Sequence, residues 1–209
     1  MSIRSIGCFG FDEVGLVSPK KLWPNDKGIR ASKHFELIAK KVKSFNSIPE
    51  AIAKSNMVVA TSVRRRELSI PLINFEEIDK LKAKKITILF GQENNGLSNK
   101  EISYANYILT IPTQKSKSLN LSHTVALVAY MLSRSTKAIE ETILKNNLKS
   151  QDIEKFISYL MLILENRQFT TIKAKTHNLE LSLRSFLKTS NIDQKMIKTA
   201  YGVIKNLTK

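Results

Sequence analysis

Hydrophobic positions are spaced in two different ways along this chain. Over roughly its first two-thirds, short β-branched runs alternate with stretches of helical period, the pattern of a mainly parallel sheet with crossover helices. Val14–Val17 (closed by Pro19), Met57–Thr61, Lys85–Phe90 and Tyr107–Ile111 (closed by Pro112) are the expected buried strands. The helices between them carry start signals. Ser47-Ile-Pro-Glu50 and Ser98-Asn-Lys-Glu101 have capping-box spacing, in which the serine oxygen accepts from the amide three residues on and the glutamate reaches back. Asn74-Phe-Glu-Glu77 offers a weaker version of the same logic. Leu121–Arg134 is expected as one long helix, with Leu121, Val125, Val128 and Leu132 spaced for a single face.

From about Lys145 onward no strand run occurs, and three amphipathic helices fit the spacing better. Phe156, Leu160, Ile163 and Leu164 make one stripe, Leu179, Leu183, Phe186 and Leu187 a second, and Ile197, Ala200, Tyr201 and Ile204 a third. Asn146-Asn147 through Ser150 is the expected hinge. The pattern divides the chain into an α/β domain over 1–145 and a small all-α extension over 146–209.

The 209 residues can bury a good core, and apolar and charged fractions of 42% and 25% are those of an ordinary globular protein. Charge changes the picture. Thirty-four Lys and Arg against 18 Asp and Glu leave a net charge of +16, which concentrates polyanions at the surface and puts nucleic acid or an anionic membrane first among partners. A Lys-rich proteome bias is the bland alternative, since the chain is also rich in Ile and Asn. The single Cys8 excludes an intramolecular disulfide and suits a reducing cytoplasm; it is expected as a small core residue. The longest apolar run, Tyr159 to Leu164, is too short to span a bilayer. Asp12 and Glu13 come too early for a signal peptide. No Cys/His cluster has metal-ligand spacing.

In open parallel sheets, ligands bind beyond the carboxyl ends of the strands. Three expected strands run there into unusual segments: Thr61-Ser-Val-Arg-Arg-Arg66, Gly91-Gln-Glu-Asn-Asn-Gly96-Leu-Ser98 and Pro112-Thr-Gln-Lys-Ser-Lys-Ser118-Leu-Asn120-Leu-Ser122. Converging, they would gather two glycines, a carboxylate, several hydroxyls and an arginine cluster at one crevice. Each also has a plainer use. Gly91 and Asn95-Gly96 could be turn residues, Asn120 or Ser122 could cap the next helix, and the three arginines could be a solvated loop.

Taken in order, these segments resemble the signature motifs of the SpoU-like (TrmH-like) branch of the SPOUT methyltransferases. Phe90-Gly-Gln-Glu-Asn-Asn-Gly-Leu-Ser98 is similar to the family's F-G-x-E-x-x-G-L-S. Ile111-Pro-Thr, Ser118-Leu-Asn-Leu-Ser122 and Val125-Ala-Leu-Val-Ala-Tyr130 are similar to its I-P…S-L-N-L-S…V-A…Y. Ala60-Thr-Ser-Val-Arg-Arg-Arg66 resembles the T-S-x-R-x-R of the TrmJ type, and Leu164-Glu-Asn-Arg-Gln-Phe169, Leu183-Arg-Ser-Phe186 and Ala200-Tyr-Gly-Val-Ile204 resemble that type's C-terminal extension. Two departures stand out. The family's opening strand and the Asn and Gly of its N-x-G-x-x-x-R helix have no counterpart, so Met1–Phe11 is expected to begin inside that helix, through a late-assigned start or a truncation. Gln92 stands where Arg is common.

The resemblance implies a SPOUT-type sheet with a C-terminal trefoil knot, a homodimer joined near the apolar face of Leu121–Arg134, and S-adenosyl-methionine as cofactor. The implied reaction is methylation of a ribose 2′-hydroxyl in RNA, tRNA nucleotide 32 in the anticodon loop first. Other tRNA or rRNA positions, or an inactive RNA-binding dimer, are the alternatives. It assigns Arg4, Glu93, Ser118 and Asn120 to catalysis, and Thr61, Ser62, Gly91, Ile111, Leu119 and Asn120 to the cofactor, with Gly91 allowing its close approach. Arg64, Arg65 and Arg66 would grip RNA phosphates. Arg4 stays protonated at neutral pH, so the expected role is phosphate anchor and alkoxide stabiliser. His123, on the helix past the last motif, is expected as a packed or surface residue.

Overall fold

A computed structural model describes residues 2–62, 69–114, 117–135, 148–169, 173–190 and 192–208. In chain order its α/β part holds α1 (Ser2–Cys8), β1 (Gly15–Val17), α2 (Asp26–Ser32), α3 (Glu36–Lys41), β2 (Lys43–Phe45), α4 (Ile48–Ile52) and β3 (Met57–Thr61). There follow β4 (Leu72–Asn74), a 3-10 segment (Phe75–Lys80), β5 (Ile86–Leu89), α5 (Asn99–Ile102), β6 (Tyr107–Thr110) and α6 (Leu121–Ser135). The tail is α7 (Ser150–Asn166), α8 (Lys173–Thr189) and α9 (Gln194–Leu207). Among the described residues, no helix is long and apolar enough to cross a membrane.

The sheet is parallel throughout, as the alternating pattern requires. Its order is β4-β6-β3-β5, and a separate parallel pair joins β1 to β2. All four expected strands form, trimmed by one residue at one or both ends outside β3, but β1 is not the buried strand expected: it lies in the separate pair, with Gly15 and Val17 exposed. β2 and β4 were not expected: each is three residues long, and only Ile73 among them is buried, which leaves no periodic signal.

Central strands are apolar throughout because both faces are covered. Val58, Ala60, Leu89 and Ile108 pack with Ile48 and Ile52 of α4 and with Ile102, Tyr104 and Ala105. Val59, Ile73 and Leu109 point the other way, against Ile78 of the 3-10 segment and Val128 of α6. The apolar face of α6 is therefore covered within one chain: Val125 and Val128 are buried against the sheet layer. Leu127 and Tyr130 are the exposed large apolar residues of α6. Cys8 is exposed as well, not a core residue.

Caps follow the sequence with one variation. At Ser98 both arms form, Glu101 N–H donating to the hydroxyl (3.2 Å) and Ser98 N–H to the Glu101 carboxylate (2.6 Å). At Ser47 the hydroxyl accepts from Glu50 N–H (3.4 Å), but the Glu50 carboxylate takes the amide of Asn46. Asn74 makes no cap to the backbone and opens a 3-10 segment instead of an α-helix.

The three tail helices close a second core of Leu148, Ile153, Phe156, Ile157, Leu187 and Ile197, with the Tyr201 ring edge-on to Phe156 at 4.9 Å. The start of the expected hinge lies outside the described residues, but its end is tied down: Ser150 N–H donates to Ser55 C=O (2.8 Å) and Gln151 N–H to Ala53 C=O (3.3 Å). The α8 stripe needs correction. Phe186 is 63% exposed, while Arg184, Ser185 and Lys188 are buried, because α8 touches the tail core through Leu187 and the α/β part through its polar side. There Asn106 Nδ2 donates to Lys188 C=O (2.7 Å), and the Arg184 guanidinium lies 4.5 Å from the Tyr104 ring centroid.

Arg184 and Lys188 share this burial with different results. Burial works against the Arg184 charge, but Glu154 and Glu180, at 3.1 and 2.6 Å, outweigh it and hold its pKa above the ordinary value. Lys188 Nζ has no hydrogen-bond partner, and burial pushes its pKa down from 10.5 to about 8 against the pull of Glu154. Between those two values the unfolded chain binds more protons than the folded one, so stability rises with pH across that window. Lys188→Met is expected to stabilise the protein near pH 7 by up to about 3 kcal/mol and to flatten this rise. Urea unfolding at several pH values from 7 to 10.5 checks it; equal stability of both proteins at the lower pH would contradict it.

Candidate active site

Because β3, β5 and β6 run the same way, their carboxyl ends lie at one edge of the sheet, and a cavity of about 170 Å³ opens there. Thr61 and Ser62 follow β3, Gly91 to Leu97 follow β5, and Ile111, Thr113, Ser118 and Leu119 follow β6; Leu121 and Thr124 of α6 complete the lining with Leu109. The strand ends are cross-tied. Thr61 Oγ1 donates to Leu89 C=O (3.1 Å), and Ser62 N–H donates to Leu109 C=O (3.1 Å).

The loop after β5 turns back on itself at its glycines. Gly96 takes a φ of +65°, and its N–H donates to Gln92 C=O at 2.8 Å. A Cβ built on Gly91 would sit 2.3 Å from Gly96 C and 2.4 Å from Leu97 N. Gly91 thus lets two backbone stretches of the loop touch, which by itself requires a glycine there. Leu97, 5% exposed, anchors the loop in the core beneath.

Opposite this loop stands Asn120. Its side-chain oxygen accepts from Ser122 N–H (2.8 Å) and Oγ (2.7 Å), as a helix cap does, while its Nδ2 donates to Glu93 Oε1 (2.5 Å). The cap expected of Asn120 forms, and it orients the amide that holds the Glu93 carboxylate at the cavity wall. Thr113 Oγ1 closes the preceding loop by donating to Lys117 C=O (2.7 Å).

Thr61, Ser62, Gly91, Glu93, Ile111, Ser118 and Leu119 thus line a single cavity, with Asn120 bonded to one of them. Arg4 is not with them: it lies exposed on α1, which packs against α6. Arg64, Arg65 and Arg66 fall outside the described residues. His123 is exposed and does not line the cavity. Thr113, Leu109 and Thr124 were not singled out from sequence, although Thr113 and Thr124 sit within or two residues beyond the motif segments. Among the described residues, no group of His, Cys, Asp and Glu is placed to hold a metal ion. Apolar walls at Leu97, Leu109, Leu119 and Leu121 beside hydroxyls at Thr61, Ser62, Thr113, Ser118 and Thr124 suit a ligand that is part flat and apolar, part polar.

Comparison with known proteins agrees with this arrangement. The model of the SpoU rRNA Methylase family matches residues 1–130. The tRNA (cytidine-2′-O-)-methyltransferase TrmJ of Methanocaldococcus jannaschii is 35% identical over 153 residues, covering 70% of this chain and 65% of that protein. The tRNA (cytidine/uridine-2′-O-)-methyltransferase TrmJ of Photorhabdus laumondii is 26% identical over 217 residues, covering 99% and 89%. The crystal structure of TrmJ from Z. mobilis ZM4 superposes with a TM-score of 0.90 at 27% identity, covering 100% of this chain and 92% of that one.

The two glycines of the β5 loop are expected to respond differently to alanine. Gly91→Ala forces backbone apart and should destabilise by about 3 kcal/mol while deforming the cavity wall. Gly96→Ala meets no atom within 4 Å and should lose only the left-handed backbone term, about 1 kcal/mol. Urea unfolding of both variants measures the difference, and equal losses would contradict it.

Proposed function

This chain belongs to the SpoU rRNA methylase family, and from that membership and its cavity we infer that it methylates a ribose 2′-hydroxyl of tRNA with S-adenosyl-methionine as donor. The carrying observation is the gathering of Thr61, Ser62, Gly91, Glu93, Ile111, Ser118 and Leu119 around one cavity at the carboxyl edge of the sheet. The two relatives named above act on tRNA ribose, and their TrmJ type leads to nucleotide 32 of the anticodon loop as the target.

The donor supplies an electrophilic methyl group. The protein's part is to place the ribose oxygen in line with that group and to stabilise the charge that grows as the hydroxyl proton leaves. Backbone groups at Thr61, Ser62, Gly91, Ile111 and Leu119 would hold the donor, and the leucine walls would suit its apolar part. Glu93, fixed by Asn120, and Ser118 orient the nucleotide. Arg4 anchors the phosphate and stabilises the forming alkoxide, and Arg64, Arg65 and Arg66 add phosphate contacts. Since Arg4 does not line the cavity of its own chain, this role belongs to the cavity of a partner chain in a homodimer. The same resemblance carries the trefoil knot, while the change of hydrophobic period supports the division into residues 1–145 and 146–209, and the single cysteine suits a cytoplasmic location.

Incubation of the protein with tRNA and the donor, followed by mapping of 2′-O-methyl positions, is expected to find the modification at nucleotide 32. Modification elsewhere in RNA would overturn the position; no modification of tRNA or rRNA would overturn the activity. A mixing assay tests Arg4. Arg4→Ala alone should lose about a hundredfold in rate. Mixed with Glu93→Gln, it should regain roughly a quarter of the wild-type activity, since half of the dimers then hold one complete site. A mixture as inactive as its parents would place Arg4 elsewhere.

A further inference from the structure

The segment between β1 and β2 carries charge that neither the fold nor the cavity uses. From Ser18 to Val42 it holds seven Lys and Arg against two acids, Asp26 and Glu36. Those two acids open α2 and α3, where negative charge suits a helix start. Lys20, Lys21, Lys27, Arg30 and Lys33 are all exposed, and none makes an ion pair among the described residues. Lys27, Arg30 and Lys33 follow one another three apart, so they share a face of α2 and its end, while Ser32 is buried and Ile29 half-buried behind them.

The segment is also firmly built. Asn25 caps α2 by accepting from Gly28 N–H (2.8 Å), and the Trp23 indole donates to Ala39 C=O (2.9 Å). A Cβ on Gly28 would lie 2.2 Å from the Trp23 ring, so the indole sits directly on the first turn of α2. The segment is seated equally closely on α1: a Cβ on Gly7 would lie 2.3 Å from the Phe35 ring. Arg4 lies three residues before Gly7 on that same short helix. Like charges held rigidly together without counter-charges repel, and a polyanion whose charges recur along a backbone relieves that repulsion.

We propose that Lys20, Lys21, Lys27, Arg30 and Lys33 form a phosphate-binding track that holds the backbone of the RNA substrate and leads it to Arg4. The track positions RNA without reading its sequence, since phosphate contacts carry no base information. It rests on the reading of the protein as an RNA methyltransferase. It adds a surface for that substrate apart from the cavity.

The test measures tRNA binding to the full chain by fluorescence anisotropy across a salt series. The track variant is Lys27→Gln/Arg30→Gln/Lys33→Gln, with Lys20→Gln/Lys21→Gln as a second. The control, Lys54→Gln/Lys82→Gln/Lys84→Gln, makes the same change in net charge at exposed positions just ahead of β3 and β5, at the sheet edge away from the cavity. Circular dichroism verifies that each is folded. The triple track variant should bind tRNA at least tenfold more weakly at moderate salt, with a salt slope lower by about 2, at 0.7 to 0.9 for each lost phosphate contact. Its methyl-transfer rate at saturating tRNA should be unchanged, so KM rises and kcat holds. The double variant should lower the slope by about 1.5. Folded track variants with the wild-type slope would overturn the track alone, as would an equal drop in the control, which returns the effect to bulk charge. A loss of sedimentation with phosphatidylserine vesicles beside unchanged tRNA binding would reassign the surface to a membrane. A wild-type chain that binds no RNA would overturn the methyltransferase reading itself.

Discussion

Two hydrogen bonds at the end of β3 hold the cavity in shape: Thr61 Oγ1 to Leu89 C=O, and Ser62 N–H to Leu109 C=O. They are possible only because β5 and β6 flank β3 in the same direction and in register, Ala60 opposite Leu89 and Ile108. In a parallel sheet every strand delivers its following loop to one edge. Polar loops that are far apart in sequence, at residues 61, 91 and 111, therefore meet without any of them having to be buried. What remains is to bring the loops within reach of one another. Gly91 does so by omitting a side chain where two backbone stretches touch, and Asn120 by spanning from the start of α6 to Glu93. Each device works only if the strand ends beneath it stay paired, so local loop chemistry inherits its precision from the sheet.

This dependence explains which parts were legible in the sequence. Strands covered on both faces must be apolar at every position, and β3, β5 and β6 were readable for that reason; β1 was legible too, helped by Pro19 at its end. β2 and β4 were not, because three residues with at most one buried side chain carry no period. The cavity loops were legible because parallel strands predict where loops converge and because their residues form family motifs. The function of Gly91 was not, since a sequence shows that a side chain is absent but not what occupies the space. Phe186 failed for a related reason. Helical spacing identifies an apolar stripe, but α8 lies between two bodies, and the polar junction took the positions next to that stripe.

That junction also bears on what the tail can do. Asn106 accepts from Val58 N–H with its Oδ1 (2.8 Å) and donates from its Nδ2 to Lys188 C=O (2.7 Å), so one side chain links β3, the entry to β6 and α8. Ser55, Asn56 and Tyr104, which also meet the tail, stand likewise at the amino ends of these strands. The tail is thus tied to the sheet edge opposite the cavity, a strand length of roughly 15 Å away, and among the described residues none of the tail lines the cavity. Its attachment is not optimised for stability, since Lys188 is buried without a partner where an apolar side chain of similar length would fit. The Arg184 charge beside it meets two carboxylates and an aromatic face, although its buried Nη1 makes no hydrogen bond among the described residues. The described residues of the tail therefore brace the amino ends of the strands and leave the cavity wall to the α/β part.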